Sequence, residues 1–326
     1  MRLARALAVL ALAACGSQVA HPIPVGLLGA SSRAIGALGA VGEVSGLELR
    51  TVAVPAPPPP ADDKVTPVLA RIRTAYTHGD FDSCRTELAS LDLAALLADG
   101  NRIAASRAVA FETGCAVGAM LTSEAQTSAA RFASFGLELA ETTVAPNVEA
   151  LIGKEIERIG AMPRVPVMIA SNASARLLVD GRPAGCDAPC TVELSPGDHV
   201  IAAAADGFTS MHKVVRIPDV KNVQLDLVPA SALLAAEQWR ARKGRGLPAA
   251  DPTSAQLIGR FSGEPRVIVL TEGPRVTGEL VVDGRTIAHA DAPPDHTTSM
   301  IRDLAYEGGL LQRPPVWRRP WFLIAV

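Results

Sequence analysis

Aromatic side chains are scarce: 326 residues hold two tyrosines, three tryptophans and seven phenylalanines. Cores must therefore be built largely from Ala, Leu and Val, which suits closely packed helices and short strands. Excess charge of one sign is also lacking, since 31 basic and 33 acidic residues leave a formal net charge of −2. That excludes a global electrostatic pull toward nucleic acid. Catalytic signatures are missing too: there is no His-Glu-x-x-His, no Gly-x-x-x-x-Gly-Lys-Ser/Thr and no Gly-x-Ser-x-Gly. The stretch from Gly36 to Gly42 is glycine-rich but lacks the strand, helix and acid of a dinucleotide site. Neither the apolar run at 7–14 nor the one at 321–326 is long enough to span a bilayer.

What is present begins with an address. Arg2 and Arg5 precede the apolar run, which ends Leu12-Ala13-Ala14-Cys15-Gly16. This pattern resembles the bacterial lipobox, and the resemblance implies cleavage before Cys15 and lipidation of that cysteine. An ordinary secretory signal, with Cys15 incidental, is the alternative. Both take the mature chain out of the cytosol. By the same resemblance Gly16, rather than Asp, favours the outer membrane. Several acyl chains anchor firmly, each buried methylene adding roughly 0.8 kcal/mol.

Four cysteines remain: Cys84, Cys115, Cys186 and Cys190. An even number in an oxidising compartment suggests two disulfides. Cys186 and Cys190 flank Asp187-Ala188-Pro189, so a local bridge is their natural pairing, and Cys84 would then pair with Cys115 between helices. Buried free thiols are the alternative. A zinc half-site would need a second pair at ligand spacing, and there is none.

Residues 16–53 read as a small βαβ fragment, with strands at 23–28 and 47–54 and an Ala- and Gly-rich helix at 31–41. Residues 54–62 carry Pro55, Pro57, Pro58, Pro59 and Pro60, an extended, semi-rigid linker. Helical periodicity then fills 63–162. Thr66-Pro67 reads as a cap with proline at the first helical position, followed by the stripe Val68, Leu69, Ile72, Ala75, Tyr76. Gly79-Asp80 opens a second helix carrying Phe81, Cys84, Leu88 and Leu91, and further helices are expected at 101–121, 123–139 and 146–159. The turn from Ala75 to Cys84 resembles the inter-helix turn of a tetratricopeptide repeat (TPR), with Gly79 and Asp80 at the small and capping positions. This resemblance covers residues 68–97 and implies a short TPR-like antiparallel helical array whose grooves bind protein segments.

From 163 to 229 short apolar runs alternate with tight-turn signals: 177–179 before Asp180-Gly181, 191–194 before Pro196-Gly197, 200–203 before Asp206-Gly207, then 214–215 and 223–228. This spacing reads as a small antiparallel β-sandwich. The series Val179, Asp180, Gly181, Gly185, Pro189, Pro196, Gly197, His199, Gly207, Phe208 resembles a PEGA domain. The resemblance implies a prealbumin-like sandwich of surface and envelope proteins, without catalytic residues. The chain departs from the family pattern by placing Cys186 and Cys190 around Pro189, an added staple, and by Phe208 in place of tyrosine.

Residues 230–312 read as a small α/β region: a helix with Trp239, a linker at 243–252, a helix at 253–261, strands at 267–270 and 276–282, and a helix at 298–306. Residues 313–326 form a basic-aromatic tail around Trp317, Arg318, Arg319 and Trp321, either interfacial or the start of a truncated membrane segment. The fold class is α+β and multidomain.

Three groups could carry chemistry. His199 and His212 sit on candidate neighbouring strands near Asp198 and could ligate a metal, against the reading of a family strand position and an exposed partner. His289, Asp291 and His296 have ligand types without strict spacing, which a solvated loop also explains. Arg240, Arg242, Lys243 and Arg245, beside Trp239, could meet anionic lipid or glycan, or simply be a solvated linker. The whole reads as a non-enzymatic envelope lipoprotein on the periplasmic side, a protein-interaction scaffold with a PEGA spacer. It needs no cofactor or metal. Its partners are the membrane through the lipid, an envelope protein, and peptidoglycan or a surface glycan, with no nucleic acid. The competing readings are an envelope hydrolase with an interdomain site using His199, His212 or His289, and an accessory subunit of an envelope sensor.

Overall fold

The computed structural model describes residues 22–29, 46–57, 63–139, 144–247 and 251–313. Cys15 and the signal segment, the helix expected at 31–41, residues 58–62 of the proline linker and the tail from 314 onward lie outside them. Among the described residues no helix is long and apolar enough to cross a membrane. The chain divides into two compact units, one continuous (57–231) and one built from 1–56 with 232–326.

Strands β1 (Ile23–Leu28) and β2 (Leu47–Thr51) open the discontinuous unit and pair in parallel. The continuous unit begins with six helices: α1 (Val65–Thr77), α2 (Phe81–Leu88), α3 (Leu93–Ala98), α4 (Arg102–Gly118), α5 (Thr122–Ser134) and α6 (Pro146–Gly160). The start of α1 is set by Asp63 rather than Thr66, since the Asp63 carboxylate accepts the amides of Val65 at 3.0 Å and Thr66 at 3.1 Å. Asp80, Asp92 and Asn101 cap α2, α3 and α4 in the same manner. Helix α5 stops at Ser134, short of the expected 139, where Gly136 turns the chain at positive φ.

Helix α4 is buried along most of its length from Ala104 to Ala116, with Arg107 and Glu112 half-buried. The other five helices pack around it. Two glycines one turn apart make that approach close. A Cβ at Gly114 would come within 2.7 Å of Tyr76 Cε2, and one at Gly118 would fall inside the Phe81 ring. Aromatic rings pack here: Tyr76 lies against Phe111 with centroids 5.4 Å apart, and its hydroxyl accepts the Ala145 amide at 2.9 Å.

Nine strands follow: β3 (Val165–Ser171), β4 (Arg176–Val179), β5 (Arg182–Asp187), β6 (Cys190–Leu194), β7 (Gly197–Ala204), β8 (Phe208–Thr209), β9 (Met211–Ile217), β10 (Asn222–Leu225) and β11 (Val228–Pro229). A four-stranded sheet, β5-β4-β7-β9, faces a three-stranded sheet, β10-β3-β6, across a core that includes Val167, Ile169, Leu177, Ile201 and Leu225. The sandwich is not wholly antiparallel as expected, because β10 runs parallel to β3. Strand β3 carries Pro166, which is tolerated because β10 pairs with β3 only from Met168 onward.

The discontinuous unit resumes with α7 (Ala232–Gly244), α8 (Pro252–Ser262), β12 (Arg266–Glu272), β13 (Val276–Val282), β14 (Arg285–Ala292) and α9 (Thr297–Glu307). Its five strands form one sheet in the order β14-β13-β12-β1-β2. The stretches 16–53 and 230–312, expected as separate pieces, therefore share a sheet. Val25, Gly26, Leu27 and Leu28 are all buried, and a strand buried on both faces needs neighbours and cover that a lone βαβ fragment cannot supply. Met300, Ile301 and Leu304 of α9 pack on the face carrying Ile268, Leu270 and Leu280. Helix α8 also packs on the sheet, and strand alternation puts Val267, Val269 and Val281 on the face opposite α9. The segment containing His289 and Asp291, expected as a loop, is strand β14.

Candidate functional site

Within the continuous unit the β4–β5 turn is Asp180-Gly181, with φ of 50° and 75°. Positive φ at both positions is the requirement of a two-residue hairpin turn and explains the Asp-Gly sequence. Gly181 also meets the helices closely, since a Cβ there would lie 2.8 Å from Arg102 Cγ and 3.2 Å from the Leu97 carbonyl oxygen. The Asp180 side chain is buried. Its Oδ1 accepts the Val200 amide at 2.8 Å and its Oδ2 lies 2.7 Å from His199 Nδ1. His199 Nε2 is 2.7 Å from the Ser195 carbonyl oxygen. Both ring nitrogens thus face acceptors, and only the imidazolium can donate to both. Burial by itself lowers the His199 pKa, but the Asp180 hydrogen bond and charge, the Ser195 carbonyl and Asp198 carry it above the usual histidine value.

The Arg102 guanidinium fastens this turn to the helices. It donates to the carbonyls of Asp180, Phe135 and Gly136, the last two at the C-terminal end of α5, where a cation is favoured. Burial pushes the Arg102 pKa down, as does the nearby Arg182. Arg182 pairs with Glu138 at 2.8 Å, and the Ser134 hydroxyl donates to the Asp198 carbonyl at 2.9 Å. A Cβ at Gly197 would come within 2.6 Å of Ser134 Cβ. Sequence reading placed Asp180, Gly181, Pro196, Gly197 and His199 in the sandwich but missed Arg102. Its partners are backbone carbonyls, which leave no signal in the sequence.

Two grooves flank this junction. One, of 440 Å³, lies on the helices, with Leu88, Leu91, Leu93, Ala108 and Val109 among its lining. Its charged residues are paired, Arg85 with Glu124 and Arg131 with Glu112, both at 3.1 Å. The other, of 680 Å³, lies between α3 and the four-stranded sheet and is lined in part by Arg176, Leu178, Cys186, Ala202 and His212.

The cysteines fall into two pairs at disulfide distance: Cys84 with Cys115 at 6.3 Å between Cα atoms, and Cys186 with Cys190 at 6.2 Å. The second joins the end of β5 in one sheet to the start of β6 in the other. Gly185 and Gly207 both take positive φ, and Phe208 packs against the sandwich core. Pro189 is exposed between the second cysteine pair.

The histidines do not gather. His199 is paired with Val215 across strands and His212 with Ala202, an odd offset that sends the two side chains to opposite faces. They cannot share a metal. Asp291 is bound by Arg275, and His296 faces Asp295 at 3.6 Å. Among the described residues no group of three or more His, Cys, Asp or Glu could hold a metal ion. His289, on β14, lies 3.7 Å from Glu279 on β13. Glu279 is 7% exposed, its Oε2 has no partner, and burial pushes its pKa up. Arg242 is not a solvated linker residue. It sits at the end of α7 and binds Asp251 at 2.7 Å, while Lys243 stands 5.3 Å over the Trp239 ring.

Residues 165–231 match the family model of the PEGA domain. No curated protein and no solved structure matches the chain.

Proposed function

We propose that the chain is a non-enzymatic envelope lipoprotein that holds a protein segment in the helical groove and uses its PEGA domain as a spacer or surface module. The 440 Å³ groove carries this reading: an apolar lining with charges already paired to one another suits a mixed apolar and polar peptide better than a small charged substrate. The TPR-like turn at Gly79-Asp80 supports the same use of the helices. Cys15 at the end of its apolar run supports a lipid anchor, with the outer membrane favoured. The Arg102 clip makes helices and sandwich one platform, so a partner held by the helices keeps a defined position relative to a spacer that could also contact cell-wall glycan.

The test is a pull-down from detergent-solubilised envelopes with the wild type and with Ala89→Glu, a change at an exposed residue of the groove. Partners recovered by the wild type should be lost with the variant. An unchanged set of partners would remove the groove from the reading. Mass analysis of the mature N-terminus tests the anchor separately, since an acylated Cys15 is expected there.

A second reading rests on Glu279. A buried carboxyl group with a raised pKa beside the exposed imidazole of His289 is the pairing an acid–base enzyme uses. Hydrolytic activity on envelope substrates that disappears in Glu279→Gln would favour it over the scaffold.

A further inference from the structure

We propose that the Cys186–Cys190 disulfide is a thiol-exchange site, attacked at Cys186 Sγ by a thiolate that enters the neighbouring groove. The two disulfides of the chain differ in access. Cys84 and Cys115 are 0% exposed in the helical core, whereas Cys186 is exposed and Cys190 half-buried. A thiolate can reach only the second pair without unfolding, and access governs exchange.

The surroundings give that thiolate a place to stand. Cys186 lines the 680 Å³ groove, which has apolar surface from Ala95, Leu178 and Ala202 and carries Arg176 and His212 alongside Asp99 and Asp187. Strand β5, which carries Cys186, is an edge of its sheet. An edge strand offers free peptide groups along one side, so an extended cysteine-bearing segment can pair with β5 while its side chain reaches the disulfide. A small-molecule thiol meets the same chemistry at sulfur.

The step balances without an outside oxidant or reductant. The thiolate forms a bond to Cys186 Sγ, the Cys186–Cys190 bond breaks, and its electron pair leaves on Cys190, which takes a proton from water. Attack by the Cys190 thiolate on the mixed disulfide reverses it. The bridge spans a sequence separation of only 4, and of its two cysteines only Cys190 packs against the sandwich core of Val167, Ile169, Leu177, Ile201, Leu225 and their neighbours. Opening the bridge therefore unfastens one edge and leaves the module folded.

The site rests on the reading that the chain lies in an oxidising compartment. Protein purified from an envelope fraction is alkylated and mapped first. Free thiols at all four positions would remove the compartment reading and the site with it. Oxidised protein is then exposed, without denaturant, to glutathione in one arm and to a cysteine-bearing hexapeptide rich in Val and Thr in the other, quenched with iodoacetamide and mapped. Cys186 should carry the adduct and Cys190 the alkyl group, with Cys186–Cys190 opening at least about tenfold faster than Cys84–Cys115. A faster reaction with the peptide at equal thiolate concentration identifies a protein segment as the source, and equal rates identify a small thiol. Equal resistance of both disulfides, while dithiothreitol in urea opens both, would overturn the proposal. Cys190→Ala should trap a covalent adduct at Cys186 with an activated peptide disulfide, and a folded variant that traps none would overturn it as well.

Discussion

The His199 imidazole and the Asp180 carboxylate form a buried pair 2.7 Å apart, with the second ring nitrogen held by the Ser195 carbonyl. The charged imidazole fills both bonds; the neutral ring leaves one nitrogen facing an acceptor without a proton. Because the folded pKa of His199 lies above its usual value near 6.5, its contribution is complete below about pH 6.5 and is lost as the pH rises through the folded value. The melting midpoint of the continuous unit should fall from pH 6 toward pH 9. Asp180→Asn should flatten that slope and cost about 3 kcal/mol at pH 6, the usual penalty for breaking a buried pair. An equal slope in the variant would place the pH dependence elsewhere.

Arg102→Ala should cost about 2–3 kcal/mol, since it removes a charged donor from three carbonyls. Arg102→Lys should recover little, because an ammonium cannot span carbonyls that a planar fork reaches. The readout is hydrogen exchange: protection should fall both in the β4–β5 hairpin and in the last turn of α5, the two elements whose carbonyls Arg102 binds. Loss confined to one of them would show that Arg102 does not join the platform.

Gly118→Ala drives a methyl group into the Phe81 ring where α2 meets α4. Overpacking of this kind costs about 2–3 kcal/mol. Gly153→Ala, with nothing within 4 Å of the added carbon, is the control and should be neutral or slightly stabilising. Chemical denaturation of the two variants side by side checks the difference.

Local chemistry was legible in the sequence and long-range pairing was not. Asp180-Gly181 and Pro196-Gly197 announce their turns because the backbone conformation is decided by the residues that adopt it. The spacing of Cys186 and Cys190 likewise pointed to their partnership. By contrast, Gly26 pairs with Val267 across about three quarters of the chain, and nothing in either strand names the other. Strand β14 was missed because Ala288, Ala290 and Ala292 give weak alternation between polar neighbours. Strand β3 was hidden by Pro166. At the junction, the Asp180–His199 pair lay inside recognisable motif positions, but Arg102 sits in a helix far from the residues it holds.

Glu279 offers a test in the other unit. Its carboxyl group is buried on β13, with Oε2 lacking a partner and the Asp251 charge adding to the burial that raises its pKa; His289 opposes that shift without cancelling it. A folded pKa above the usual 4.5 means that the folded state holds the proton more tightly than the unfolded chain. Stability should therefore decline as the pH rises from 4.5 through the folded value, and should stay at the lower level beyond it. Glu279→Gln removes the charge at nearly constant shape and should stabilise the unit at pH 7 by about 1 kcal/mol, the scale of one unpaired buried polar group. Trp239, packed 5.5 Å from Phe261, reports unfolding of this unit once Trp317 and Trp321 are replaced by Phe. A variant less stable than the parent at pH 7 would mean that the carboxylate has a counter-charge there, and the buried-acid account of Glu279 would have to be abandoned.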